Sequence, residues 1–278
     1  MGESTAATAN AGSEAPPAFV NAVAELGAKR PVKTSQAIYN TQGTKLLEGG
    51  VTIDQTLYDK LFSHRLSLPL DECIDPGPDT EGASLAAAAR TATSRWPFFA
   101  RVAPAGDAGK ALLDAIASVR LPKPVALHLT LARETRRALF DHSILMALLC
   151  AHLVREAGGA RAAMCDAAAA GLLHDLGMLH IAADLLDSDE RLSGDELKPV
   201  WAHPLTSSML VDRFPDYPKE VVRAIVEHHE RLDGSGYPRG LAGETVSPLG
   251  RVLALAEVVT AMFDGERRLP EQRVTPAS

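Results

Sequence analysis

The run from His142 to Val154, HSILMALLCAHLV, is apolar nearly all the way round when wound at helical pitch, interrupted only by His142, Ser143 and His152. A helix without a polar face cannot lie on a surface, so other helices must enclose it. Hydrophobic residues make up 46% of the chain and aromatics only 5%. Alanine- and leucine-rich runs with few β-branched stretches favour helix over sheet. The expected fold is therefore mainly α: a helical bundle with a small N-terminal β-plus-helix region. At 278 residues the chain exceeds one typical core, which predicts one large helical domain and a smaller N-terminal unit.

Residues 1–30 are rich in Ala, Ser, Thr, Glu and Pro and poor in large apolar side chains, which predicts a disordered leader. From Val32 to Val51, short semi-alternating segments flank Asn40-Thr41-Gln42-Gly43, consistent with a hairpin. Thr52 is the expected start of a helix, with Gln55 three residues on as in a capping box and Ile53, Leu57 and Leu61 along one face. The acidic, Pro- and Gly-rich stretch from Leu70 to Gly82 reads as loop, followed by Ala-rich helices near 83–95 and 107–119. Pro122 and Pro124 mark the boundary between a region 31–121 and the main domain, 122–278. Within that domain helices are expected near 125–140, 141–157, 160–174, 195–213, 218–230 and 248–263, the last opening on Ser247 as N-cap with Pro248 at the first helical position.

A formal net charge of -7 argues against a nucleic-acid polymer as partner, because binding to a phosphate backbone relies on clustered Lys and Arg. An anionic substrate would then need metal ions to attract it. Cys73, Cys150 and Cys165 have no spacing of a disulfide framework or zinc knuckle and read as free thiols in a reducing compartment. The apolar run Ile144–Val154 is short for a membrane span, and the first residues lack the basic start and apolar core of a secretory signal, so the expected location is cytoplasmic.

The histidines are where chemistry gathers. His174-Asp175 closes the apolar stretch AAAAGLLHDLG, with Gly177 just beyond. Neighbouring residues on a helix point about 100° apart, so the two side chains can reach separate ions of a dinuclear site with the carboxylate between them. His203 precedes Pro204 at an expected helix start, and His228-His229 ends another helix just before the glycine loop DGSGYPRG. Neutral imidazole is the commonest transition-metal ligand. His142 has apolar helical neighbours and reads either as a ligand or as a core histidine bonded to a carbonyl. His64, His128, His152 and His180 show no partner pattern. The loop itself is either a tight turn fixed by Pro238 or a wall that lays its backbone at Gly236 and the Tyr237 ring over a nucleotide base or against a partner.

HDLG at 174–177, HP at 203–204 and above all HHERLDGSGYPRGL from His228 to Leu241 resemble the HD-GYP family, the branch of the HD superfamily that contains bacterial cyclic di-GMP phosphodiesterases. The likeness covers roughly residues 128–268. It implies an HD-type bundle in which two transition-metal ions, iron or manganese, are held by His142, His174, Asp175, His203, His228 and His229, with Asp175 bridging and His174-Asp175 at the centre of catalysis. The remaining family ligand, an aspartate, aligns with Glu257, whose stripe with Ala254 and Ala261 reads equally as an exposed face. The family's HDIGK lysine is replaced by Met178, and its RPY-like segment by DGERRLPEQR, where Arg267 or Arg268 would meet phosphate or guanine. The implied reaction is opening of cyclic di-GMP to linear pGpG and on to GMP. The alternatives are a catalytically weakened relative that binds nucleotide or proteins, and another HD phosphohydrolase. Implied partners are cyclic di-GMP, signalling proteins at the GYP loop and a second copy in a homodimer, without nucleic-acid polymer or membrane.

Overall fold

The computed structural model describes residues 18–77, 82–187 and 194–263. Its elements in chain order are α1 (Ala18–Lys29), β1 (Ile38–Tyr39), β2 (Lys45–Leu47), α2 (Gln55–Phe62), α3 (Leu70–Cys73), α4 (Gly82–Arg95), α5 (Pro97–Val102), α6 (Asp107–Ala117), α7 (Lys123–Thr135), α8 (Arg137–Glu156), α9 (Arg161–Leu173), a 3-10 helix Leu176–His180, α10 (Ala183–Asp187), α11 (Leu197–Asp212), α12 (Lys219–Glu227) and α13 (Pro248–Ala261). The bundle is mainly α, as its composition requires.

At the centre stands α8, with eleven of its twenty residues buried. It is long and apolar enough to cross a membrane by composition alone, but its apolar surface is enclosed by α9, α13, α4 and α7. The partner face of α9 is Ala167 to Gly171, small side chains that let the two helix axes approach closely. A single buried cluster runs from Phe19 on α1 through Leu112, Leu148 and Leu172 to Ala256 on α13, so N-terminal and C-terminal segments share one core.

The expected disordered leader is corrected from residue 18 onward. Phe19, Ala22, Val23 and Leu26 recur at helical spacing and are buried against α7, α2 and the 3-10 helix, a local apolar stripe that the polar composition of residues 1–30 hides. Residues 1–17 lie outside the described residues. The second helix begins at Gln55, later than Thr52; Thr52 pairs with Lys33 in a β-bridge and Asp54 Oδ1 accepts from Leu57 N at 2.8 Å, taking the cap. Within the stretch read as loop, Leu70–Cys73 forms α3, whose Asp71 accepts from Arg213 at 2.7 Å and ties the N-terminal region to α11. The short helix α5 was not foreseen; its Phe98 stacks on Phe263 at 4.6 Å.

The hairpin forms where expected, Ile38 opposite Leu47. Its turn is held by Asn40, whose Oδ1 accepts from Gln42 N at 3.0 Å and Thr44 N at 2.8 Å. Asn40→Ala is expected to cost about 1 kcal/mol in urea denaturation, the net worth of such side-chain bonds; an unchanged midpoint would mean that the turn is held by its backbone alone.

Candidate metal centre

Three backbone interruptions aim three imidazoles. His174 caps the end of α9, where the last carbonyls have no helical partner, and its Nδ1–H donates to Gly171 O at 2.8 Å. His228 caps α12 in the same way, donating to Ile225 O at 2.6 Å. His203 lies inside α11, and here the sequence reading is corrected: Pro204 is not at a helix start but in the helix interior. Proline has no N–H to give Val200 O, and that freed carbonyl accepts from His203 Nδ1 at 2.5 Å. With Nδ1 protonated toward a carbonyl, each ring presents a bare Nε2, the arrangement of metal-ligating histidines.

These rings converge on Asp175. Its Oδ1 lies 3.0 Å from His203 Nε2 and 3.5 Å from His228 Nε2, and its Oδ2 lies 3.3 Å from His174 Nε2 and 3.8 Å from His142 Nε2. On the Oδ2 side, Glu257 Oε2 is 3.2 Å from His142 Nε2 and 3.5 Å from His174 Nε2. Two donor sets result: His142, His174 and Glu257, and Asp175, His203, His228 and His229, the donor atoms of each set within 4.8 Å of one another. All seven residues are buried. The open question about Glu257 is thus answered, since it faces the cluster and not solvent.

Charge makes the same demand as geometry. Burial raises the carboxyl of Asp175, yet the imidazoles beside it win and hold it well below the carboxylate range. Glu257 is held low in the same manner by His142 and His174. Burial lowers His174, but Asp175 and Glu257 outweigh it and raise the ring to about 9. Burial dominates at His228, down to about 4, and at His229, well below its usual value. Two buried carboxylates thus call for positive charge beside them, which His174 supplies as a proton and a bound cation would supply in its place. Where a neutral His203 turns its Nε2 lone pair on Asp175 Oδ1 at 3.0 Å, the two repel unless a cation or a second proton lies between them. Mixed imidazole and carboxylate donors suit several transition metals, so the residues fit such ions.

The glycine loop folds back onto this centre. The Tyr237 ring stacks on His229 at 4.7 Å, and Tyr237 N–H donates to His229 O at 3.2 Å. Gly236 has no room for a side chain: a Cβ there would overlap Glu230 Cα and His229 O. Gly177 is needed for close packing, because a Cβ would strike His203 O and the Ser207 side chain; its bare Cα lets the 3-10 helix approach α11, and Ser207 Oγ accepts Gly177 N–H at 2.8 Å. Met178 is buried with Ile181, Leu197 and Val200 in a small apolar cluster. Arg267 and Arg268 lie outside the described residues.

Sequence reasoning missed two buried carboxylates. Glu230 accepts from Arg239 N at 2.7 Å and Leu241 N at 2.8 Å and so clasps the loop. Glu227 accepts from Ser247 N at 2.8 Å and Arg223 Nε at 2.7 Å, joining α12 to the start of α13. Their only signal was position: two acids flanking His228-His229 at a helix end.

The HD-domain family model matches residues 122–277. A 3'3'-cGAMP-specific phosphodiesterase of Vibrio cholerae is 36% identical over 123 residues, 44% of this chain and 28% of the relative. A cyclic di-GMP phosphodiesterase of Pseudomonas aeruginosa is 32% identical over 152 residues, 54% of this chain and 37% of the relative. A cyclic di-GMP phosphodiesterase response regulator of Xanthomonas campestris is 36% identical over 92 residues, 33% of this chain and 24% of the relative. The matched segment thus spans only 24% to 37% of these relatives.

Proposed function

Because this chain belongs to the HD-domain family, we propose that it is a metal-dependent phosphodiesterase that opens cyclic di-GMP to linear pGpG and carries the product on to GMP. One observation carries the reading: Asp175 turns one oxygen toward His203 and His228 and the other toward His142 and His174, the disposition of a carboxylate shared by two ions. In this reading His142, His174 and Glu257 would hold one ion and His203, His228 and His229 the other, with Asp175 available to each. Iron or manganese suits the donors. Bound there, such ions supply the lowered water pKa and the neutralisation of phosphate oxygens that hydrolysis of a diester needs.

The chain's own part is positioning. Anchoring of Nδ1 on backbone carbonyls keeps three Nε2 lone pairs aimed inward before any ligand arrives. Tyr237, stacked on His229, offers an aromatic face beside the cluster on which a guanine base can stack, while Gly236 lets the loop backbone close in. Met178 brings no charge, and its apolar burial leaves neutralisation of the phosphate to the ions and to cations elsewhere. This one feature favours the second reading, a nucleotide-binding or protein-interaction module with little turnover. Residues 31–121 serve as a regulatory-type region, and signalling partners or a second copy of the chain meet the loop and bundle surfaces.

Protein purified with its iron or manganese retained is expected to convert cyclic di-GMP to pGpG on nucleotide chromatography, with 3'3'-cGAMP run in parallel. Cutting of 3'3'-cGAMP alone would change the substrate assigned. About two metal equivalents without any product would leave the binding module, and protein free of metal would sink both.

A further inference from the structure

A second pair of histidines lies apart from the seven cluster residues, and nothing in the sequence pattern joins them. His128 is buried on α7, and His180 is exposed at the end of the 3-10 helix. Their Nε2 atoms are 3.3 Å apart. His128 Nδ1–H donates to Pro124 O at 2.7 Å, which leaves its Nε2 bare. The same two features mark the buried cluster: a ring anchored through Nδ1 to a backbone carbonyl, and Nε2 atoms facing each other, 3.3 Å for His142 and His174 and 3.2 Å for His203 and His228.

That separation has a physical meaning. Two nitrogens bound at about 2.0–2.1 Å to one tetrahedral zinc stand roughly 3.3 Å apart, so the pair is already spaced to share one ion. The pair is also braced. Phe19 stacks on both rings, at 4.6 Å from His128 and 5.1 Å from His180, so α1, α7 and the 3-10 helix meet at this point. Burial holds His128 down to about 4, so the ring is neutral and able to ligate at pH 7. Both oxygens of the nearby Asp71 are turned to Arg213, so among the described residues two donors face this point and the exposed His180 side leaves the remaining positions to water.

We propose that His128 and His180 form a separate, mononuclear site for a zinc-like transition-metal cation. The inference does not rest on the proposed phosphodiesterase activity. An ion held there would tie α7 to the far end of the 3-10 helix whose near end follows Asp175 directly, beneath the Phe19 ring of α1 that stacks on both histidines.

The test is equilibrium dialysis of the full chain against Zn²⁺, wild type beside His180→Ala. Wild type is expected to retain one Zn²⁺ equivalent more than H180A, whatever number the buried cluster holds. The same difference is expected in an Asp175→Ala background, which separates this site from the cluster. His180→Asp, which restores a donor, is expected to recover the lost equivalent. Because H180A also loses the stack on Phe19, its metal-free melting temperature is read beside wild type to establish that it is folded. Equal Zn²⁺ uptake by wild type and H180A, or a difference that vanishes when Asp175 is changed, would overturn the proposal.

Discussion

In an Asp175→Asn protein, hydrolysis of cyclic di-GMP is expected to fall by at least about a thousandfold, the scale on which loss of a central electrostatic group slows an enzyme. The substitution keeps the shape of the side chain and removes its charge. Asp175 Oδ1 faces His203 and His228, and Oδ2 faces His142 and His174, so one neutral amide would weaken both donor sets at once. The amide nitrogen would also turn a donor toward one set, where it would occupy an Nε2 lone pair that a cation needs and repel the cation itself. Metal content should therefore drop together with turnover, read by elemental analysis and nucleotide chromatography on the same sample. A D175N protein that keeps its full metal complement and more than about a tenth of its activity would show that the carboxylate is not shared.

Glu230→Ala is expected to lower stability by about 3 kcal/mol in urea denaturation, because two backbone N–H groups, those of Arg239 and Leu241, lose a charged acceptor in a buried setting. The loss falls on the segment that presents Tyr237 to His229. Affinity for the dinucleotide should weaken with it, while the metal content, which does not depend on Glu230, should hold. Glu230→Gln retains one acceptor oxygen and should cost about half as much. A change below about 1 kcal/mol for E230A would mean that other contacts keep the loop closed.

How much of this was legible in the sequence depended on whether the signal was local. The apolar girth of α8 and the punctuation by Pro122, Ser247 and Pro248 placed most helices of the main domain within a few residues, because periodicity and capping are properties of short windows. The helix Ala18–Lys29 escaped because its four buried side chains are diluted in an alanine-rich, polar neighbourhood, and burial against α7 decides the matter over propensity. The histidines and Asp175 could be chosen from motif spacing, but their convergence could not, since it joins α8, α9, α11 and α12 across the core. Glu257 was ambiguous for the same reason: neighbouring alanines look alike whether they face solvent or a helix. Pro204 misled in an instructive way. Proline usually marks a helix start, yet Pro204 sits inside the helix expected over 195–213, and only the fold reveals that it releases Val200 O for an imidazole.

That release has a further consequence. The rings of His174, His203 and His228 are oriented by main-chain oxygens that two helix ends and one proline leave vacant, so their tautomers are selected during folding, before an ion is encountered. The conformational freedom of three side chains is thereby surrendered once, in the folding reaction, and is not charged again to capture of the metal. Preorganisation of this kind is written in the path of the backbone, which makes the centre tolerant of change in the side chains around it and sensitive to any change that restores an unbroken helix.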